Sequence, residues 1–535
     1  MSTRDRVLEV YHETGTILGT AKKLGVSRPT VRRWLRAMGA YSERPVLAGR
    51  INEREVETRP LPGHGEIKRY LLTSLQNNTK LHHRVWTNLL ALAEHYNAEI
   101  LVGTFSYDLS SYGKMSVKRG TVKGEAELWY DQRAEPFFMD RPVEIAPGLV
   151  WCGEMNILPT AVRPMQGLEV YTGRKSSIFP HAKVQMQSIP SAKGDPTKFN
   201  YTTGTVGKRN YIQKKAGLRA EFHHVYGALL VEVEHTGDWF VRQVSTGSSG
   251  VLHDLDVKVE NGVATEGTRV KTVVWGDIHR ATIDPTVCDL AWAPGGMLDV
   301  LQPEYQFMHD LLDFRARNGH TIKRGLIHDR FRAFTQGHDS VELEIMEVAE
   351  FLKETARDWC KTVVVDSNHD QFMMEWLRIG DYRDDPVNAI YFLEAQLHVY
   401  KAIASDPDAP VNLLRWAVER MSNPEIKRRV RFLDEDESLV ILDIEHGMHG
   451  NLGPNGARGS TTNLARMGRK MNRGHEHSAG IFEGVYTAGL SGLLDQGYNK
   501  GPSSWSHSHI LTYQNGHRAI ITMHNGKWRA QSCTS

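Results

Sequence analysis

Short apolar runs that stop at a glycine or a polar cluster recur along the carboxyl-terminal half of the chain, and they set its architecture. The first, residues 271–279 (KTVVWGDIH), is a β-branched run closed by Gly276, with Asp277 and His279 just beyond it. A buried strand that stops at a glycine delivers its next side chains to the carboxyl edge of a sheet. The period-two alternation of a strand turns Asp277 and His279 to the same side. Gln306 to Met308 reads as a second short strand, after which the run from His309 to Phe314 (HDLLDF) is expected to open a helix. The segment SVELEIMEVAEFLKETARDW has helical apolar spacing and leads into KTVVVDSNHD, a strand with Asn368, His369 and Asp370 at its exit. A helical region then runs to about Arg420. SLVILDIEHGMHG reads as one strand that delivers His446, and Gly474-His475-Glu476-His477 presents two imidazoles two residues apart. The chain closes on two strands joined at Asn515-Gly516, a terminal hairpin whose alternating His507 and His509 are expected on a solvated face.

The amino-terminal pattern is different. Residues 4–38 predict three short helices, with a tight turn at Gly25-Val26-Ser27, Ser27 as the cap of the third helix and Pro29 in its first turn. This arrangement resembles a helix-turn-helix, in which Arg28, Thr30, Arg32 and Arg33 would face a DNA groove or phosphates; the alternative is a basic knob that docks on a protein partner. Residues 1–40 are thus read as a small all-α module and residues 41–65, rich in Arg, Glu, Pro and Gly without periodicity, as a linker. Residues 66–260 carry strand, helix and strand signals (KRYLLTSLQ, HHRVWTNLLALAEHY, AEILVGTFSY, GALLVEVEH, DWFVRQV) and are read as an α/β middle domain of unassigned role, suited to self-association. Residues 261–535 are read as the catalytic domain. Gly204-Thr205-Val206-Gly207-Lys208 does not make a phosphate-binding loop, because Arg209 stands where a magnesium-holding hydroxyl is needed and no apolar helix follows. The basic cluster from Lys208 to Arg219 reads as a solvated face.

Composition narrows the class. With 535 residues, 40% of them hydrophobic and 24% charged, the chain is globular and too long for one ordinary core. A net charge of +2 excludes a uniformly basic surface, so contact with nucleic acid must come from local patches. The four cysteines lie far apart without a paired motif, which excludes a zinc knuckle or a disulfide framework and fits a reducing cytoplasm. The charged start, MSTRDRVLEVYHETG, predicts no signal peptide, and no apolar run is long enough for a bilayer.

The order G-D-x-H, H-D-x-x-D, S-N-H-D, a strand-terminal H-G and G-H-x-H over residues 271–480 resembles the calcineurin-like binuclear metallophosphoesterases, a superfamily that includes nucleases. Hydrolysis of a phosphodiester at such a site uses two divalent ions about 4 Å apart, held by mixed imidazole and carboxylate ligands with a carboxylate between them. The resemblance implies a four-layer αββα sandwich and two ions, manganese before magnesium. It implies Asp277, His279 and His477 on the first ion, Asp310 as bridge, and Asn368, His446 and His475 on the second. His369 would be the acid that protonates the leaving oxygen, Asp370 would orient its ring, and Asp313 would support the bridge. Two positions stay open. Asp329 rivals Asp310, which is preferred because Asp313 and Phe314 complete its motif; His449 rivals His446, which is preferred as the first residue beyond VILDIE.

The superfamily acts on phosphoproteins, nucleotides, lipids and DNA, so the site alone does not choose a substrate. The helix-turn-helix tips the choice to DNA. The blocks GNLGPNGARGSTTNLARMGRK and GPSSW…NGKWR are also similar to phage-encoded metallophosphoesterases, and the layout is similar to the early DNases of T5-like phages. That resemblance implies degradation of host DNA in the host cytoplasm. Two further readings remain: a phosphodiesterase or phosphatase on a small nucleotide, and a non-enzymatic DNA-binding regulator with a decayed metal site.

Overall fold

In the computed structural model the period-two runs become a six-stranded sheet whose residues alternate between two hydrophobic cores. The structure describes residues 6–14, 17–38, 56–107, 129–318, 327–408, 410–421 and 424–532. Strands Thr272–Val274, Tyr305–Met308, Lys361–Val364 and Val430–Phe432 run parallel, with Val273 opposite Gln306 and Phe307 opposite Val363. The hairpin Ser508–Thr512 and Arg518–Thr522 completes the sheet antiparallel to Thr272–Val274. Val273, Met308, Val364, Leu511 and Ile521 enter one core together with residues of helices Val341–Thr355, Phe372–Ile379 and Leu413–Met421. Val274, Phe307, Val363, Ile510 and Ile520 enter the other, packed against strands of further sheets. Parallel strands covered on both faces read as continuous apolar runs, as seen in KTVV and KTVVV.

The second layer comes from the preceding third of the chain. Strands Ile67–Gln76 and Ala98–Phe105 are parallel and joined through helix His83–Tyr96; Tyr226–Glu234 and Trp239–Thr246 extend them into a four-stranded sheet. Tyr70, Leu72, Leu229 and Val231 face the shared core, while Leu71, Leu75 and Leu230 face the helix. Helices, sheet, sheets and helix therefore follow one another in layers. An eleven-stranded mixed sheet joins the parts further: Met186–Ile189 pairs with Gly480–Phe482.

The expected boundary at residues 260 and 261 is not a boundary. Residues 57–535 form one compact unit, because sheet hydrogen bonds and a common core cross that point. The linker expected over 41–65 also ends early, since Glu57–Thr58 pairs with Pro142–Ala146; residues 41–55 lie outside the described residues. The α/β class holds. No described helix is long and apolar enough to cross a membrane.

Residues 1–56 are the other unit. Its helices Val7–Thr14, Ile17–Leu24 and Arg28–Ala37 fall where the pattern places them and bury Val7, Ala21, Val31 and Leu35. Gly25 takes a φ of 65°, and the Thr30 N–H donates to Ser27 Oγ at 3.3 Å, which makes Ser27 the cap. Arg28, Arg32 and Arg33 are exposed and Thr30 is half-buried.

Behind the site, Gln306 fills all its hydrogen-bonding capacity in the core. Its Oε1 accepts from the indoles of Trp275 (2.9 Å) and Trp292 (3.2 Å), and its Nε2 donates to the Thr355 carbonyl and Thr362 Oγ1, both at 3.0 Å. Gln306→Leu strands several buried polar groups at once. Urea denaturation is expected to show a loss of about 2–4 kcal/mol, each orphaned group costing roughly 1–3.

Candidate metal centre

The four parallel strands end at one edge, and acidic and imidazole groups gather beyond three of them. Asp277 leaves its strand through Trp275-Gly276; its N–H donates to the Gly489 carbonyl (3.1 Å) and its carbonyl accepts from the Ser491 N–H (2.8 Å). A methyl group at Gly276 would lie 2.7 Å from the Leu490 nitrogen, so only glycine allows this approach. His279 and Asp310 both sit at φ 47°, and the His279 N–H donates to the Asp310 carbonyl at 2.8 Å. The same left-handed geometry at Asp310 and Phe314 (52°) excludes the helix expected from His309; the segment runs irregularly, with Leu311, Leu312 and Phe314 in the core.

His475 (φ 76°) and His477 (φ 55°) follow strand Lys470–Arg473 of the eleven-stranded sheet. The His475 N–H donates to Asp277 Oδ2 at 2.7 Å. His477 Nε2 lies 3.2 Å from Asp277 Oδ2 and 3.0 Å from His279 Nε2. Asp277, His279, Asp310 and His477 are all buried, each with one ligand-type atom within 4.8 Å of the others. Non-glycine residues in the left-handed region are costly and persist where the surroundings over-determine them.

Electrostatics show what the cluster lacks. Asp313 Oδ1 sits 2.7 Å from His279 Nδ1 and accepts its N–H, which fixes the ring with Nε2 directed at the cluster. Burial opposes a charge on His279, but the carboxylates of Asp313, Asp310 and Asp277 together outweigh it and push the imidazole up to about 9. Burial works to raise Asp277, yet His449 and His477 hold it down to about 2. Asp277 Oδ1, Asp310 Oδ1 and Asn368 Oδ1 are buried acceptors without a donor. Buried acceptors normally find a proton donor, so a converging set without one is suited to a cation. The buried group can hold a metal ion, and its oxygen and nitrogen donors suit a divalent one.

The structure corrects three residue expectations. His446 is occupied elsewhere: its Nδ1 donates to the Ile444 carbonyl (2.9 Å), and its Nε2 meets Thr272 Oγ1 (3.2 Å) and Asn472 Nδ2 (3.1 Å) while the ring stacks on Phe307. VILDIE is not one strand. Leu442 and Asp443, both left-handed, fold Val440–Ile441 back on Ile444–Glu445, and the chain beyond Gly447 carries His449 to the cluster instead. His449 Nε2 lies 3.3 Å from Asp310 Oδ2, and its ring is 5.2 Å from that of His475. Asp370 does not orient His369, because its oxygens accept from the Leu312 N–H (3.0 Å) and the Ser367 hydroxyl (2.7 Å). His369 packs its ring 4.8 Å from that of His279, and its Nδ1 has no partner. His509 is buried rather than solvated and accepts the Gly276 N–H at 2.9 Å, because its hairpin is interleaved in the sheet; His507 Nε2 donates to the Gly492 carbonyl. Arg317, near the site in sequence, is buried against Asp339 and Asp385.

Asn368 and His475 line a cavity of about 1270 Å³ that also meets Asp366, Glu375, Asp434 and Arg458. The rival Asp329 falls in helix Ile327–Thr335 and its side chain lies outside the described residues, as do His320, Lys323 and Arg324. Sequence reasoning missed His309, whose Nδ1 is 3.4 Å from His449 Nδ1, and Trp505, whose ring lies 4.5 Å from that of His477. His309 was visible as a partner of the H-D pair; nothing local marks Trp505.

The fold and site define an α/β protein with a buried carboxylate and imidazole centre, able to hold a divalent metal, at the carboxyl ends of its parallel strands. No protein-family model and no solved structure matches the chain. It is 36% identical over 501 residues to Protein A1 of Escherichia phage T5, a match that covers 91% of this chain and 87% of the relative. The chain belongs to the family of that phage protein.

Two measurements probe the centre. A methyl at Gly474 would fall 2.0 Å from Asp277 Oδ1, so Gly474→Ala is expected to weaken manganese binding about 10–100-fold by calorimetry, the range seen when ligand positioning is lost. His449→Gln should cost manganese affinity at least as much, whereas His446→Gln should lower the melting temperature and leave affinity within about twofold.

Proposed function

We propose that this chain is a metal-dependent deoxyribonuclease that hydrolyses phosphodiester bonds at a binuclear centre, in a phage programme that degrades host DNA. The observation that carries it is the convergence of donor-less buried oxygens on Asp277, Asp310 and Asn368 with four imidazoles at one sheet edge. In this reading the αββα layering is that of a calcineurin-like metallophosphoesterase. Asp277, His279 and His477 would hold one ion and Asn368, His449 and His475 the other, with Asp310 available to both. The ions, when bound, polarise the phosphoryl oxygens and make water acidic enough to attack at neutral pH.

The chain's own residues do the rest. Asp313 keeps the His279 proton on Nδ1. Ser367 and Leu312 hold Asp370, which braces the turn that presents Asn368 and His369. His369 has a ring nitrogen free of protein partners and supplies the proton to the departing oxygen. The exposed Arg28, Arg32 and Arg33 of the helical module bind DNA phosphates, and a tethered binding module raises the local concentration of DNA at the centre.

One observation favours a second reading, a phosphodiesterase for a small nucleotide. The cavity beside Asn368 is lined by Asp366, Glu375, Asp434 and Glu435 against Arg378 and Arg458, a poor path for a long polyanion.

Purified protein with manganese is expected to release fragments from plasmid DNA, and a chelator should stop it. Asp277→Asn should lower the rate roughly 1,000-fold, in line with several kcal/mol of transition-state charge stabilisation. Turnover of cyclic or dinucleotide substrates with intact plasmid left over would favour the second reading. DNA cleavage that persists with chelator and in the variant would sink both.

A further inference from the structure

The segment that follows Asp277's backbone partners forms a fixed loop with aromatic rings at the centre's edge. At its start, Ser491 is hydrogen-bonded to Asp277 and Asp284; at its end, Ser503 and Ser191 exchange N–H···O bonds at 2.9 and 3.0 Å. Inside, Asn499 Oδ1 accepts from the Gln496 N–H (3.0 Å) and its Nδ2 donates to the Leu494 carbonyl (2.9 Å), which closes the turn. Trp505 stands against the candidate ligand His477, and its carbonyl accepts the Thr197 hydroxyl. Tyr498 lies 5.8 Å from Trp505, ring to ring, and is 63% exposed. Partial burial first, and then the carboxylates of Asp313, Asp310 and Asp277, push its phenol up to about 12. Trp505 also lines a cavity of about 840 Å³ shared with Phe199, Trp239 and Lys193.

A large exposed aromatic ring on a braced loop beside a hydrolytic centre is costly to leave in water and offers a flat face to another ring. Neither phosphate nor sugar has such a face; a nucleobase has two. We propose that the exposed Tyr498, buttressed by Trp505 whose ring meets it at 66°, is a stacking platform for an unpaired nucleobase next to the scissile phosphate, so that the substrate strand is single-stranded or locally opened. In an intact duplex the base faces are already stacked on their neighbours and cannot reach the platform without unpairing. The inference rests on the phosphodiesterase reading of the metal centre. It places the strand on the Trp505 side, away from the acidic cavity beside Asn368.

The test compares a labelled single-stranded oligodeoxynucleotide with its fully abasic counterpart. Binding to the full-length protein is followed by fluorescence anisotropy in calcium, and recovery of intact oligonucleotide controls for turnover. The native protein should prefer the base-bearing strand by about 5- to 100-fold, the range of a lost base–aromatic stack. Tyr498→Leu should bring that ratio close to one and Tyr498→Phe should keep it, with thermal melting confirming that both variants fold. A ratio near one in the native protein, or unchanged in Tyr498→Leu, overturns the platform. Base-dependent binding without manganese-dependent cleavage would remove the nuclease reading and leave the platform standing. Cleavage of DNA without base dependence would do the reverse.

Discussion

The structure turns on two carboxylates, Asp277 and Asp310, held almost wholly away from water at one sheet edge. Removing a carboxylate from water costs several kcal/mol unless positive charge or donors replace the lost hydration. Here the replacements are partial. The His475 backbone N–H, His477 and His449 face part of each carboxylate, and one oxygen on each is left without a donor. The surrounding architecture exists to keep these groups together in spite of that cost.

Backbone geometry supplies much of the restraint. His279, Asp310, Phe314, His475 and His477 all adopt left-handed conformations that side chains disfavour. Gly276 and Gly474 leave space where any side chain would strike the Leu490 backbone or the Asp277 carboxylate. Such geometry survives only when the flanking strands are fixed. Two sheets fix them: the parallel strands carry Asp277, Asp310 and Asn368, while the eleven-stranded sheet carries His475 and His477.

The two sides of the centre differ in chemistry. Toward Asn368 the wall is acidic and the cavity wide; toward His477 the wall is aromatic and braced by hydrogen bonds. A polyanionic strand with flat bases is repelled by the first and complemented by the second. For the nuclease proposed above, this asymmetry would give the strand a side from which to approach.

The sequence by itself determined three of the four parallel strands, the acidic and imidazole residues beyond their ends and the three amino-terminal helices, because each depends on contacts within about ten residues: period-two apolar runs, a glycine stop, a serine cap. It also singled out Asp277, His279, Asp310 and Asn368 beyond expected strands, and His475 and His477 as a spaced pair whose strand, Lys470–Arg473, the pattern did not show. Tertiary structure alone decided the rest. His446 or His449 turned on a two-residue reversal at Leu442-Asp443, His509 became a buried support because its hairpin entered the sheet, and Asp370 bonded to Leu312 and Ser367 rather than to His369. The division expected at residue 260 vanished because Met186–Ile189 found its partner almost three hundred residues away, at Gly480–Phe482. Hydrogen-bond partners so distant leave no local pattern to read: strand pairing and burial are settled by the whole chain, and the side chains near one another in sequence do not record them.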